Sequence, residues 1–281
     1  MNLCPPEIHS YICQLACLDD GRTVRALSLV SRYFRQISRP FLYQSLFISG
    51  SERIAALDSA LQKTPSHLRL VRHLFLSTHK NDGSATHTPK ATDSADSASI
   101  LRILSTCAPT LETLSFVSLS PSIGTLTISR LFRTAFPHLE ELFISGFYPF
   151  PSAPGKLPAL QRLHLHGNRN PHGLLEAGVL DEACPSLTHL RVSGLSMATT
   201  FALELQAAFK GDDESPFPSR LPRSLRCVAV QPAAPQLQVS GKGAANLARD
   251  EMMMMQLEKL EVPEGIEFTL LPKPLVDGTY E

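Results

Sequence analysis

Hydrophobic residues follow one period up to about residue 46 and a different one beyond it. In the first stretch Cys4, Ile8, Ile12 and Leu15 recur at three- and four-residue spacing, the stripe of an amphipathic helix. Pro6 sits where a first helical turn tolerates a missing N–H, and Glu7 follows where the helix dipole favours an acid. Asp19-Asp20-Gly21 interrupts the helix, after which Val24, Leu27, Val30 and Phe34 make a second helical stripe. Arg39-Pro40 ends that stripe, because the residue before a proline is pushed out of the helical region. The pattern predicts a compact helical module over residues 3–47.

Beyond it one short pattern returns: apolar, two variable, apolar, one variable, apolar. It reads Val71-Leu74-Leu76, Leu111-Leu114-Phe116, Leu139-Leu142-Ile144 and Leu160-Leu163-Leu165, then Leu187-Leu190-Val192, Leu225-Val228-Val230 and Leu257-Leu260-Val262. Tyr43-Leu46-Ile48 is a candidate first copy. This signature at such periods indicates leucine-rich repeats, with insertions in the longer gaps. Asn168 sits where the repeat's asparagine belongs and can bond the backbone of a neighbouring turn. Pro109, Pro137, Pro158, Pro185 and Pro222 precede strands, where a missing ladder donor is tolerated.

Helix-forming stretches lie between the strands: Ser51–Lys63, Ala98–Thr106, Ile128–Ala135, Leu174–Ala183, Thr199–Lys210 and Ala244–Gln256. Residues 78–97, nearly free of large apolar side chains, read as a disordered insertion, and Gly211–Pro222 as a shorter one. Met252–Met255 belongs to a buried last helix, since methionine both forms helices and fills gaps. Residues 271–281 form a fraying tail. The expected fold is α/β: a short helical module, then an irregular solenoid over 48–270 with parallel strands on its concave face and helices on its convex face.

The N-terminal residues Cys4-Pro5-Pro6-Glu7-Ile8, Val30-Ser31 through Phe34, and Pro40-Phe41-Leu42-Tyr43 resemble an F-box, closest to fungal members. The resemblance covers about residues 3 to 47. Cys4 departs from the family's usual leucine, although a thiol still packs as a small hydrophobe. F-box proteins recruit targets to cullin-RING (SCF-type) ubiquitin ligases through a Skp-type adaptor. The resemblance therefore implies that Pro5, Ile8, Ile12, Leu27, Val30 and Phe34 dock on that adaptor or support docking, some of them by packing the module's own core. It also implies a substrate-recognition subunit whose repeats bind a target protein. The alternative is a leucine-rich-repeat scaffold or inhibitor without ligase association.

Charge narrows the partners. Lys+Arg and Asp+Glu both total 26, so no net field draws the chain to nucleic acid or an anionic membrane. No apolar run reaches the about 20 residues of a membrane helix. The Ile8–Leu18 stretch lacks a basic lead and a cleavage site, so no signal peptide is expected. Six scattered cysteines without a CxxC pair point to reduced thiols in the cytoplasm or nucleus. His9, Cys13 and Cys17 share one helical face, but no fourth ligand is placed by sequence and no metal is expected. Ten histidines occur without an HExxH, GxSxG, P-loop or dinucleotide motif. Neither an enzyme nor a cofactor is expected.

Within each repeat the residues flanking the apolar ones face away from the core. Stacking the copies gives three columns. The first is His73, Thr113, Glu141, Arg162, His189, Cys227 and Lys259. The second is Phe75, Ser115, Phe143, His164, Arg191, Ala229 and Glu261, and the third Ser77, Val117, Ser145, His166, Ser193, Gln231 and Pro263. Phe143, Arg162, His164, His166, His189 and Arg191 collect at the centre as a candidate target-binding patch. Guanidinium forks suit carboxylate and phosphate, and protonated histidine would add charge, so an acidic or phosphorylated partner is expected.

Overall fold

The computed structural model describes residues 4–79, 92–118, 120–176, 178–211, 219–234 and 243–274. The chain is α/β, with eight parallel strands in one sheet and, among the described residues, nine α-helices.

Three helices open it. Helix α1 spans Pro6–Ala16, with Pro5 extended ahead of it and Glu7 in its first turn. Asp20 and Gly21 then take positive φ, 55° and 73°, and reverse the chain. The Asp19 carboxylate accepts the Thr23 N–H at 3.0 Å and its hydroxyl at 2.7 Å, fixing the start of α2, Arg22–Val30. The second stripe is not one helix. Ser31 is extended (φ −162°), and its hydroxyl accepts the Phe34 N–H at 3.2 Å, capping a separate α3, Arg32–Ser38. A serine that can cap ends one helix and starts the next, which spacing alone does not reveal. A small core of Cys13, Cys17 and Val24, with Leu27, Ile37, Phe41 and Leu42 against it, holds the three together.

The strands are β1 Ser45–Ser49, β2 His73–Ser77, β3 Thr113–Val117, β4 Glu141–Ser145, β5 Arg162–His166, β6 His189–Leu195, β7 Cys227–Pro232 and β8 Glu267–Leu270. They pair in chain order, and from β2 to β7 their apolar positions are in phase: Leu74, Leu114, Leu142, Leu163, Leu190 and Val228 are register partners. These residues and Leu76, Phe116, Ile144, Leu165, Val192 and Val230 are all nearly inaccessible to solvent. Fully burying each such side chain contributes about 1.5–3 kcal/mol.

Helices α4 (Ser51–Lys63), α5 (Thr92–Cys107), α6 (Pro121–Arg133), α7 (Val179–Ala183), α8 (Thr199–Lys210) and α9 (Gly243–Glu258) lie in the crossovers. α4 packs on α5, α5 on α6, and α8 on α9. Asn168 is buried and donates to the Tyr148 carbonyl at 2.8 Å, bonding the backbone of the preceding crossover.

Other expectations change. The eighth strand lies at 267–270, not at 257–262: α9 runs to Glu258, and Gly265 turns at φ 87° before the chain enters β8. Lys259, Glu261 and Pro263 therefore leave the columns. The helix expected over 174–183 keeps only Val179–Ala183, since Gly178 at φ 83° starts it late. Within the 78–97 insertion, residues 92–97 belong to α5, whereas 80–91 lie outside the described residues. So do 212–218 of the second insertion and 275–281 of the tail.

Candidate functional site

The open face of the sheet is built by register. His73, Thr113, Glu141, Arg162, His189 and Cys227 are successive partners, as are Phe75, Ser115, Phe143, His164, Arg191 and Ala229. β4, β5 and β6 thus bring Phe143, Arg162, His164, His189 and Arg191 around one open hollow of about 460 Å3. His166 lies two residues along β5 from His164, beyond the lining of that hollow. The Phe143 and His164 rings are tilted at 59°, centroids 4.7 Å apart.

Charge is less abundant here than the residue types suggest. Arg162 is ion-paired with Glu141, its neighbour on β4. His164 is pushed down to about 4, by burial first, then by Arg191 and His166. Burial and Arg191 lower His166 as well. Both rings are therefore neutral at neutral pH, and the positive charge expected from them is missing because their surroundings exclude it. Both meet one hydroxyl: Ser193 Oγ lies 2.7 Å from His164 Nε2 and 3.1 Å from His166 Nδ1. A hydroxyl has a single hydrogen, so at least one imidazole must donate to it. His189 Nδ1 bonds the Thr188 hydroxyl at 2.8 Å. Arg191 donates through Nη2 to Gln231 Oε1 at 2.8 Å, a neutral partner that leaves its full charge available.

No family model and no curated protein matches the chain.

The N-terminal helices present a second surface. Ile12 is 54% exposed and Val30 67%, and Pro5 and Ile8 are exposed too. Leu27 instead packs on the small core, and Phe34 is half-buried with its ring against His9 and Tyr33. Cys13 on α1 and Cys17 at its C-cap face the core, and the Ile8–Ile12–Leu15 stripe faces outward. Tyr11 on α1 and Leu29 on α2, the latter 81% exposed, are open as well and escaped the sequence reading. Their only sequence signal was the apolar side chain beside a stripe. His9 pairs with the Tyr33 hydroxyl at 2.8 Å, away from any metal-ligand cluster among the described residues.

The open face also reaches one strand beyond the three columns. Phe47 on β1 stacks on Phe75, centroids 4.3 Å apart and planes within 6°. Extending the second column one strand back, along Leu46-Phe47-Ile48, would have found it.

Proposed function

We propose that the chain is a non-enzymatic substrate receptor of a cullin-RING ubiquitin ligase. Its N-terminal helices act as an F-box that docks on a Skp-type adaptor. The strands behind them act as an irregular leucine-rich-repeat solenoid whose open face holds a target protein with an acidic or phosphorylated group. The ligase machinery supplies the chemistry, in the cytoplasm or nucleus, and this chain needs no cofactor.

The observation that carries the reading is the apolar surface of α1 and α2. Ile8, Ile12, Leu15, Leu29 and Val30 stay open although the helices have their own core of Cys13, Cys17 and Val24. Large apolar side chains left exposed on both helices suit surfaces that a partner covers. A cap serving only to close the sheet would turn this stripe onto β1. The repeat reading draws support from strands paired in chain order and from Asn168 bonding the neighbouring crossover. The target side draws support from Arg191, whose charge remains available in the hollow that Phe143 also lines.

Co-expression with a Skp-type adaptor tests it. The intact chain should co-purify with the adaptor, and Ile12→Asp combined with Val30→Asp should abolish the complex while leaving the fold intact by circular dichroism. Failure of the intact chain to co-purify would sink the ligase reading and leave a repeat scaffold.

A further inference from the structure

The open face of the sheet carries a second hollow, of about 410 Å3, where the Asp19-Asp20 turn overlooks β1 and β2. Thr113 and Ser115 line both this hollow and the one at Arg191. The two are therefore one trough across the strands, floored in register by Phe47, Phe75, Ser115, Phe143 and His164.

Its ends differ in charge. At the β1 end the Asp19 and Asp20 carboxylates line the hollow beside the Arg22 guanidinium, while Arg25 donates through Nη2 to the Asp20 backbone carbonyl at 3.3 Å. The Thr23 hydroxyl and N–H hold the Asp19 carboxyl below its usual range, so it is ionised at neutral pH. Asp20 accepts the Phe47 N–H at 3.3 Å, which sets its charge beside the stacked rings. Phe47 remains 47% exposed. An aromatic face beside carboxylates favours a cation on an apolar stem, the shape of lysine or arginine. At the other end Glu141 neutralises Arg162, both central imidazoles are neutral, and Arg191 bonds an uncharged amide. A guanidinium bonded to a neutral amide, with no ion pair among the described residues, suits a single carboxylate.

We propose that this trough binds an extended segment of a partner protein, with a lysine or arginine at Phe47 and Asp19-Asp20 and an acidic side chain at Arg191. The proposal rests on the reading of this chain as a target receptor, and charge complementarity selects the occupant. From β1 to β6 the trough crosses five inter-strand steps, about 24 Å at about 4.8 Å each. An extended chain advancing about 3.3 Å per residue covers that span in about seven residues. The partner's two charges therefore stand about seven residues apart, with small or apolar residues between them over Phe75 and Phe143.

Fluorescence anisotropy with labelled synthetic peptides tests this on the full-length chain. One peptide carries Lys and Glu about seven residues apart; matched peptides replace either with Gln, or shorten the separation to about three. The spaced peptide should bind, and each change should weaken binding about tenfold, as losing one charge-assisted contact does. Asp20→Asn should erase the advantage of Lys and Arg191→Gln that of Glu. Arg191→Glu should prefer the peptide whose Glu is replaced by Lys. Equal binding of all peptides, or none, overturns the proposal on the wild-type chain whatever the variants do. A phosphoserine in place of Glu that binds more than about tenfold tighter overturns the single-carboxylate assignment. Adaptor capture without peptide discrimination would remove the trough and leave the receptor reading. Peptide discrimination without adaptor capture would do the reverse.

Discussion

His164 and Ser193 meet across neighbouring strands, Nε2 to Oγ 2.7 Å, on the face that the sheet leaves open. The hydroxyl is nearly inaccessible to solvent, and it also touches His166. This contact ties the neutral state of His164 to stability. Burial, Arg191 and His166 lower its folded value from 6.5 to about 4, so the unfolded chain takes up the proton first as pH falls. The contribution is intact above about 6.5 and is lost as pH drops toward about 4. Urea midpoints should therefore fall more between neutral pH and pH about 5 for the wild type than for His164→Gln. Parallel pH profiles would show that His164 is not held neutral.

The thiols should divide by burial. Burial pushes Cys107 and Cys184 up to about 12. Cys17 rises to about 11, through burial and then the neighbouring Cys13 and Asp19. Cys4 and Cys227 are half-buried. Only thiolates react readily. Maleimide labelling of the native chain at neutral pH, read by peptide mass spectrometry, should find Cys4 and, more slowly, Cys227. Cys13, Cys17, Cys107 and Cys184 should label only after denaturation. Prompt native labelling of Cys17 would mean that the small core under α1 is open.

Much of the sheet was legible because a period-two pattern states both the strand and its inward face. Leu142 and Ile144 name the buried side of β4, and by elimination Phe143 names the open side. The register then followed from aligning equal motifs, which brought His164 opposite Arg191. The pattern failed at Leu257-Leu260-Val262, where α9 runs on to Glu258 and takes Leu257, while Leu260 and Val262 lie in the connection to β8. On α1 two apolar stripes compete, Ile8–Ile12–Leu15 and Cys13 with the C-cap Cys17, and spacing does not say which faces inward. Only packing against Val24, Ile37 and Phe41 decides between them. Charge at the site was not legible. The residue type of His164 or Arg162 says nothing about burial or about an ion pair to Glu141.

Asn168 provides a test of how the crossovers are held. Its amide donates to the Tyr148 carbonyl at 2.8 Å, and its oxygen lies 3.4 Å from the Tyr148 N–H. Asn168→Ala leaves a buried carbonyl without its donor, a loss of about 1–3 kcal/mol. Asn168→Asp removes the donor and adds buried charge, so it should be worse at neutral pH and partly recover in acid. Chemical denaturation at two pH values would check both, and an unchanged midpoint for the alanine variant would remove Asn168 from the set of stabilising contacts.

Two glycines separate backbone strain from collision. Gly155 and Gly167 both hold positive φ, 67° and 115°, so a side chain at either position strains the backbone. A Cβ at Gly155 would meet nothing within 4 Å, and Gly155→Ala should cost about 1–2 kcal/mol. At Gly167 the Cβ would lie 2.4 Å from the Gly146 carbonyl oxygen, backbone that no rotamer change can move aside. Gly167→Ala should therefore cost at least about 2 kcal/mol more than Gly155→Ala. The effect should also reach the open face, since Gly167 follows His166 at the end of β5 and moving that turn shifts the imidazole from Ser193. The double reading is a lower urea midpoint together with changed nuclear magnetic resonance shifts of His166, with Gly155→Ala as the control. Equal losses at the two positions would show that the turn after β5 yields freely, and that the close approach of Gly146 and Gly167 does not set the geometry of the strands it joins.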